Sequence, residues 1–166
     1  RDKKSEYLNK PKDWALTGAK GRPGRKIFSL MMKPGVLEKH NFHLKEKYDL
    51  ITQKEKKYEE YHLDEKAEYL IVAFGTVARI SKNIVKKDNN IKLFRPITLW
   101  PFPYQELKEY AKNVKKVFVF EMNLGQMVED VKLALEGTKQ IEFYGRPGGG
   151  VPTSEELYKF IQEKIK

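Results

Sequence analysis

Four short runs of β-forming apolar residues, Tyr69–Phe74, Ile91–Phe94, Val117–Phe120 and Ile141–Tyr144, each break into a turn and give way to an amphipathic segment. Strands apolar throughout are covered on both faces, and strands alternating with helices join in a parallel sheet. Right-handed crossovers then leave few topologies. The pattern predicts a three-layer α/β/α domain over about residues 67–166, with a mostly parallel sheet of four to five strands.

The helices can be read between these runs. Thr76–Lys87 turns Val77, Ile80 and Ile84 to the sheet, and Pro103 stands at the first position of a helix carrying Leu107, Tyr110 and Ala111. Residues 124–136 form a helix with Met127, Val128, Val131 and Leu135 on one side. Thr153 followed three residues later by Glu156 is a capping box that opens a last helix through Leu157, Phe160, Ile161 and Ile165.

The first third reads differently. Residues 1–35 form an irregular basic arm, punctuated by Pro11, Gly18, Gly21, Pro23, Gly24, Pro34 and Gly35. Trp14 and Leu16 are apolar anchors suited to lying across a surface. From Val36 to about Tyr61, Leu37, Leu44, Tyr48, Ile51 and Tyr58 make one narrow stripe on a long connecting helix. His40 and His43 share a face there, but no third metal ligand accompanies them and His62 stands apart.

Composition narrows the function. The chain has no cysteine, so it holds no disulfide, zinc–thiolate site or cysteine-ligated iron–sulfur cluster of its own. No apolar run approaches the roughly 20 residues a membrane helix needs, and the reading is a cytoplasmic protein without a membrane partner. Of the net charge of +10, the first 26 residues carry nine Lys/Arg against three acidic residues. A stand-alone basic module binding nucleic acid or another polyanion is the second reading, though no nucleic-acid motif accompanies the charge.

In a parallel sheet the strand ends Gly75-Thr76, Arg95-Pro96, Glu121-Met122-Asn123 and Gly145-Arg146 line one rim, where α/β folds place their ligands. Gly75 and Thr76 sit at a helix start open to an anion, although the spaced glycines of a dinucleotide loop or P-loop are missing. Gly148 and Gly149, with Arg146 as anchor, present backbone N–H groups to a carboxylate or phosphate. These five are the weak cofactor-binding candidates, and a small anion-binding protein is a third reading. Glu121 has no second carboxylate or histidine beside it and suits a structural bond to backbone amides at a helix start. Asn123 and Gln126 suit turn, cap or interface roles, and no catalytic residue and no metal site is assigned.

Five runs, Asp13–Gly21, Ile71–Arg79, Arg95–Pro103, Glu121–Val131 and Phe143–Thr153, resemble in order the carboxyl-terminal half of the α subunit of 2-oxoacid:ferredoxin oxidoreductases, closest to the 2-oxoisovalerate branch. The resemblance implies a domain like the transketolase carboxyl-terminal domain, with an antiparallel edge strand near Lys57–Leu63. It implies a complex that decarboxylates a 2-oxoacid on thiamine diphosphate and magnesium, passes electrons through iron–sulfur clusters to ferredoxin, and releases an acyl-CoA from coenzyme A. None of these cofactors is expected on this segment. The implied partners are a thiamine-diphosphate-binding β subunit, a ferredoxin-like cluster subunit and a γ subunit. The chain starts at Arg1 and not methionine, and a pyrimidine-binding domain is expected ahead of it. Trp14, Leu16, Trp100, Glu121, Asn123 and Gln126 are then the interface and structural candidates. In a Trp100→Phe background, Trp14 of the isolated chain should emit as a solvent-exposed indole; a blue-shifted, quencher-protected signal would show that it packs internally.

Overall fold

A computed structural model describes residues 12–26, 28–61 and 66–165, so His62 lies outside the described residues. The chain forms two compact units, residues 1–45 and 46–166. In order come α1 (Val36–Lys54), β1 (Tyr58–Tyr61), β2 (Tyr69–Ala73), α2 (Gly75–Lys87), β3 (Ile91–Pro96), α3 (Tyr104–Tyr110), β4 (Lys116–Glu121), α4 (Met127–Leu135), β5 (Gln140–Gly145) and α5 (Ser154–Lys164).

The five strands make one sheet in the order β1-β3-β2-β4-β5. β3, β2, β4 and β5 run parallel, and β1 pairs antiparallel to β3 with Tyr58 opposite Pro96. Side chains alternate across the pleat, so each buried strand feeds two cores. Leu70, Val72, Phe94, Val117 and Val119 pack with Leu107 of α3 and Val128, Val131 and Leu135 of α4. Ile71, Leu93, Phe118 and Phe120 pack on the other face with Val77 and Ile84 of α2 and Leu157 and Ile161 of α5. The three layers are therefore α2/α5, sheet, and α3/α4. Each buried Val, Leu, Ile or Phe contributes about 1.5–3 kcal/mol.

Two elements differ from the sequence reading. The helix expected to run to Tyr61 stops at Lys54, and Tyr58 lies instead in β1, its ring stacked on Phe94 at 5.2 Å. A four-residue strand with two glutamates carries little intrinsic signal; its conformation comes from the ladder with β3, a tertiary contact that overrides local pattern. The helix expected from residue 124 begins at Met127, because Gly125 has φ +110° and the turn before α4 is held by a side chain described below. The capping box opening α5 is present, with Glu156 N donating to Thr153 Oγ1 at 3.1 Å and Thr153 N to Glu156 Oε2 at 2.7 Å.

Only β4 pairs with β5, so one side of β5 is a sheet edge. Glu142, midway along it, lies near Lys116 Nζ (3.9 Å) and Lys164 Nζ (3.6 Å). In the first unit the Arg25 guanidinium donates to the carbonyls of Ala15 and Lys12.

Phe118 is fully buried and meets the rings of Tyr69, Phe120 and Phe160. Phe118→Ala should cost about 3–5 kcal/mol in urea unfolding, whereas Leu133→Ala, at a position 65% exposed on α4, should stay within about 0.5 kcal/mol. Equal costs would mean that the sheet core is not where stability resides.

Candidate functional site at the sheet's switch point

β2 lies between β3 and β4, and the chain leaves it toward one face while it leaves β4 toward the other. The carboxyl ends of β2 and β4 therefore diverge, and a crevice opens outside them, the position where open α/β sheets hold ligands. It measures about 270 Å³ and is lined by Phe74, Gly75, Thr76 and Val77 on one wall and Met122 and Asn123 on the other. Gly75 has φ +59°, a left-handed turn that sends the chain straight into α2. The first turn of α2 has no side-chain cap.

Glu121 directly precedes Met122 and Asn123 of this crevice. Its side chain is fully buried at the end of β4. Oε1 accepts from Val128 N at 2.9 Å and Oε2 from Met127 N at 3.0 Å, while Gln126 N reaches both oxygens at 3.3 Å. A helix start leaves its first amides unpaired and carries partial positive charge, so one carboxylate satisfies α4 on both counts. Asn123 Nδ2 donates to Glu121 Oε2 at 2.9 Å, and Asn123 Oδ1 accepts from Gly125 N at 2.7 Å. Arg146 N donates to the Glu121 carbonyl at 3.0 Å, which ties the exit of β5 to the same corner. Gly145 belongs here for steric reasons: a Cβ on it would sit 2.5 Å from the Asn123 carbonyl oxygen and 2.8 Å from the Phe143 ring.

The structure thus brings Gly75, Thr76 and Asn123 to one crevice, and Glu121, Asn123 and Gln126 into one hydrogen-bonded corner. Arg146 is not a free anchor, since its guanidinium lies 3.0 Å from Glu156, the capping-box carboxylate. Gly148 and Gly149 hold left-handed turns in the following loop, with φ +73° and +79°. Trp100 is 59% exposed after β3, where its ring meets Tyr48 edge-on at 5.5 Å. Trp14 and Leu16 are 63% and 71% exposed in the first unit. His40 and His43 have ring centroids 6.4 Å apart, and among the described residues no three His, Asp or Glu gather as metal ligands.

Two arrangements had no signal in the linear pattern. Glu59 of β1 accepts from the Tyr61 hydroxyl and from Arg95 Nη1 at 2.9 Å, with Lys82 Nζ at 3.7 Å. The Tyr61 hydroxyl first, with Arg95 and Lys82 behind it, holds this carboxyl below its ordinary range. Arg95 is thereby turned to the edge strand and away from the crevice. Tyr104 of α3 donates to Asp130 of α4, and the loss of that bond on ionisation pushes the phenol up to about 12. The Glu59–Arg95 and Tyr104–Asp130 pairs join residues 26 or more apart across a strand pair and a helix pair, and Lys82 reaches Glu59 from α2, whereas alternation alone sets Tyr61 beside Glu59.

A mostly parallel five-stranded sheet with one antiparallel edge, covered by α2/α5 and α3/α4, defines a three-layer α/β domain. Residues 67–157 match the family model of the pyruvate:ferredoxin oxidoreductase core domain II, and the chain belongs to that family. It is 35% identical over 154 residues to ketoisovalerate oxidoreductase subunit VorB of Methanothermobacter marburgensis, covering 90% of this chain and 43% of the relative. It is 33% identical over 109 residues to 2-oxoglutarate synthase subunit KorA of Methanocaldococcus jannaschii, covering 63% of this chain and 29% of that one. The fold is shared with a solved 2-oxoglutarate:ferredoxin oxidoreductase from Magnetococcus marinus, which has 2-oxoglutarate, coenzyme A and succinyl-CoA bound. That match has a TM-score of 0.68 and 21% identity over 92% of this chain and 30% of the other. The chain spans less than half the length of these relatives.

The donor set here does not fit a cysteine-ligated iron–sulfur cluster, since the chain has no cysteine. Among the described residues the one fully buried carboxylate, Glu121, already spends both oxygens on α4 and Asn123.

Glu121→Gln replaces an acceptor by an NH2 group facing helix amides, so it should cost about 2–4 kcal/mol in urea unfolding. Asn123→Ala, which leaves the α4 amides satisfied, should cost about 1 kcal/mol. A neutral Glu121→Gln would show that α4 does not depend on this carboxylate.

Proposed function

We propose that this chain is the transketolase-carboxyl-terminal-like portion of the α subunit of a 2-oxoacid:ferredoxin oxidoreductase, of the 2-oxoisovalerate branch. Its role is assembly: it holds a rim of the subunit in place while the reacting groups sit on other chains or domains. The observation that carries this reading is the match to VorB, which covers 90% of the chain, against 46–63% for the KorA relatives. The commitment of Glu121 to α4 supports it, because the one buried carboxylate of the rim is a scaffold group. Residues 1–35 act as a linking arm, residues 36–66 as a connecting helix with the edge strand, and residues 67–166 as the domain proper.

The first unit supports a docked arm. Residues 1–45 hold twelve Lys/Arg against four acidic residues, so +8 of the net +10 falls there. Trp14, Leu16, Phe28, Leu30 and Met32 are all more than 60% exposed in it, an apolar and basic surface of the kind that closes on a neighbouring subunit.

The complex is the object to test. A tagged copy expressed in its own host should co-purify with a thiamine-diphosphate-binding subunit and a cysteine-rich cluster subunit. The complex should form acyl-CoA faster from 3-methyl-2-oxobutanoate than from 2-oxoglutarate. Recovery as a free monomer would end the assembly reading, and a preference for 2-oxoglutarate would move the chain to the other branch.

A further inference from the structure

The two rims of the sheet differ in chemistry. The segments that leave the parallel strands at their carboxyl ends are residues 74–76, 97–103, 122–126 and 146–153. Of these 23 residues one is charged, Arg146, in a chain 34% charged, where about eight would be expected at the chain's own average. That single cation is already paired with Glu156. The helix-to-strand loops at the opposite rim, residues 88–90, 111–115 and 136–139, carry five charged residues in twelve. They expose no large apolar side chain, whereas the carboxyl rim exposes Leu124 (79%), Trp100 (59%), Val151, Ile97 and Leu99.

Solvent alone gives no reason for one rim of a small domain to lose its charges and gain apolar side chains. Burial against another protein does, because interface centres are depleted of charge and rich in aromatic and aliphatic groups, with polar residues at the margin. The margin is present too: Glu55, Lys56 and Lys57 enter β1 beside the rim, where Lys57 O accepts from Ile97 N at 2.9 Å.

We infer that the carboxyl rim, with its exposed Leu124 and Trp100 and the crevice lined by Thr76 and Asn123, is covered by an uncharged, apolar surface of a neighbouring subunit. The inference rests on the assembly reading above and names the surface through which assembly occurs. A polyanion or an anionic membrane is a poor occupant, since no free cation faces outward from these segments to draw phosphate. An acidic partner surface is equally poor here, and suits the basic first unit instead.

The test places charge on the rim of the whole protein. Leu124→Glu and Trp100→Glu, made separately in tagged full-length protein expressed in its own host, should each lower the recovered thiamine-diphosphate-binding and cluster subunits at least tenfold. Leu133→Glu, equally exposed on α4 but off the rim, should leave recovery unchanged, and melting curves of all three should match the parent. Hydrogen exchange should slow in 97–103 and 122–126 on assembly and stay unchanged in 88–90 and 136–139. Wild-type recovery from both rim variants overturns the inference while leaving the assembly reading intact. Loss of self-association alone, with the other subunits retained, overturns it in favour of a second copy. A parent protein that recruits no subunit refutes both readings.

Discussion

The bonds from Glu121 to the start of α4 hold the second unit's rim together. A helix that begins directly after a buried strand has amides with no partner and no water to supply one. Here the strand's last residue turns its own carboxylate back onto Gln126, Met127 and Val128. The same side chain holds Asn123, and the same residue's carbonyl holds Arg146 N. One group therefore fixes the exit of β4, the entry of α4 and the exit of β5. The packing of Val128, Val131 and Leu135 on the sheet follows from where α4 begins.

This use of a buried carboxylate is structural: both oxygens are taken up by the start of α4 and by Asn123. The crevice at the switch point is where many α/β proteins bind ligands, but of its two polar side chains, Thr76 and Asn123, the second is occupied with Glu121 and Gly125. What the rim offers outward is poor in charge and rich in exposed apolar side chains. The first unit instead offers positive charge around its exposed apolar side chains.

The parallel strands were legible because Leu70–Ala73 and Val117–Phe120 are apolar at every position, a pattern only a doubly covered strand sustains. α5 was legible from Thr153 and Glu156, whose bonds are local. β1 was not, since Tyr58–Tyr61 is a strand only by virtue of β3, more than thirty residues on. The resemblance supplied that strand where periodicity read helix. Glu121's role was readable in kind, from an isolated carboxylate at a strand end, but not its occupancy by three amides. The loss of charge along the rim was hidden for a different reason: its four segments are spread over eighty residues and become one surface only through the sheet order.

The outer side of β5 has a consequence for life in a crowded cell. An open strand invites another strand to add to it, and growth of that kind has no natural end. Glu142 stands in the middle of β5 close to Lys116 and Lys164, so the edge strand carries a charged cluster of the kind that discourages an added strand. The charge cluster acts as a stop sign against polymerisation at the edge that β5 forms.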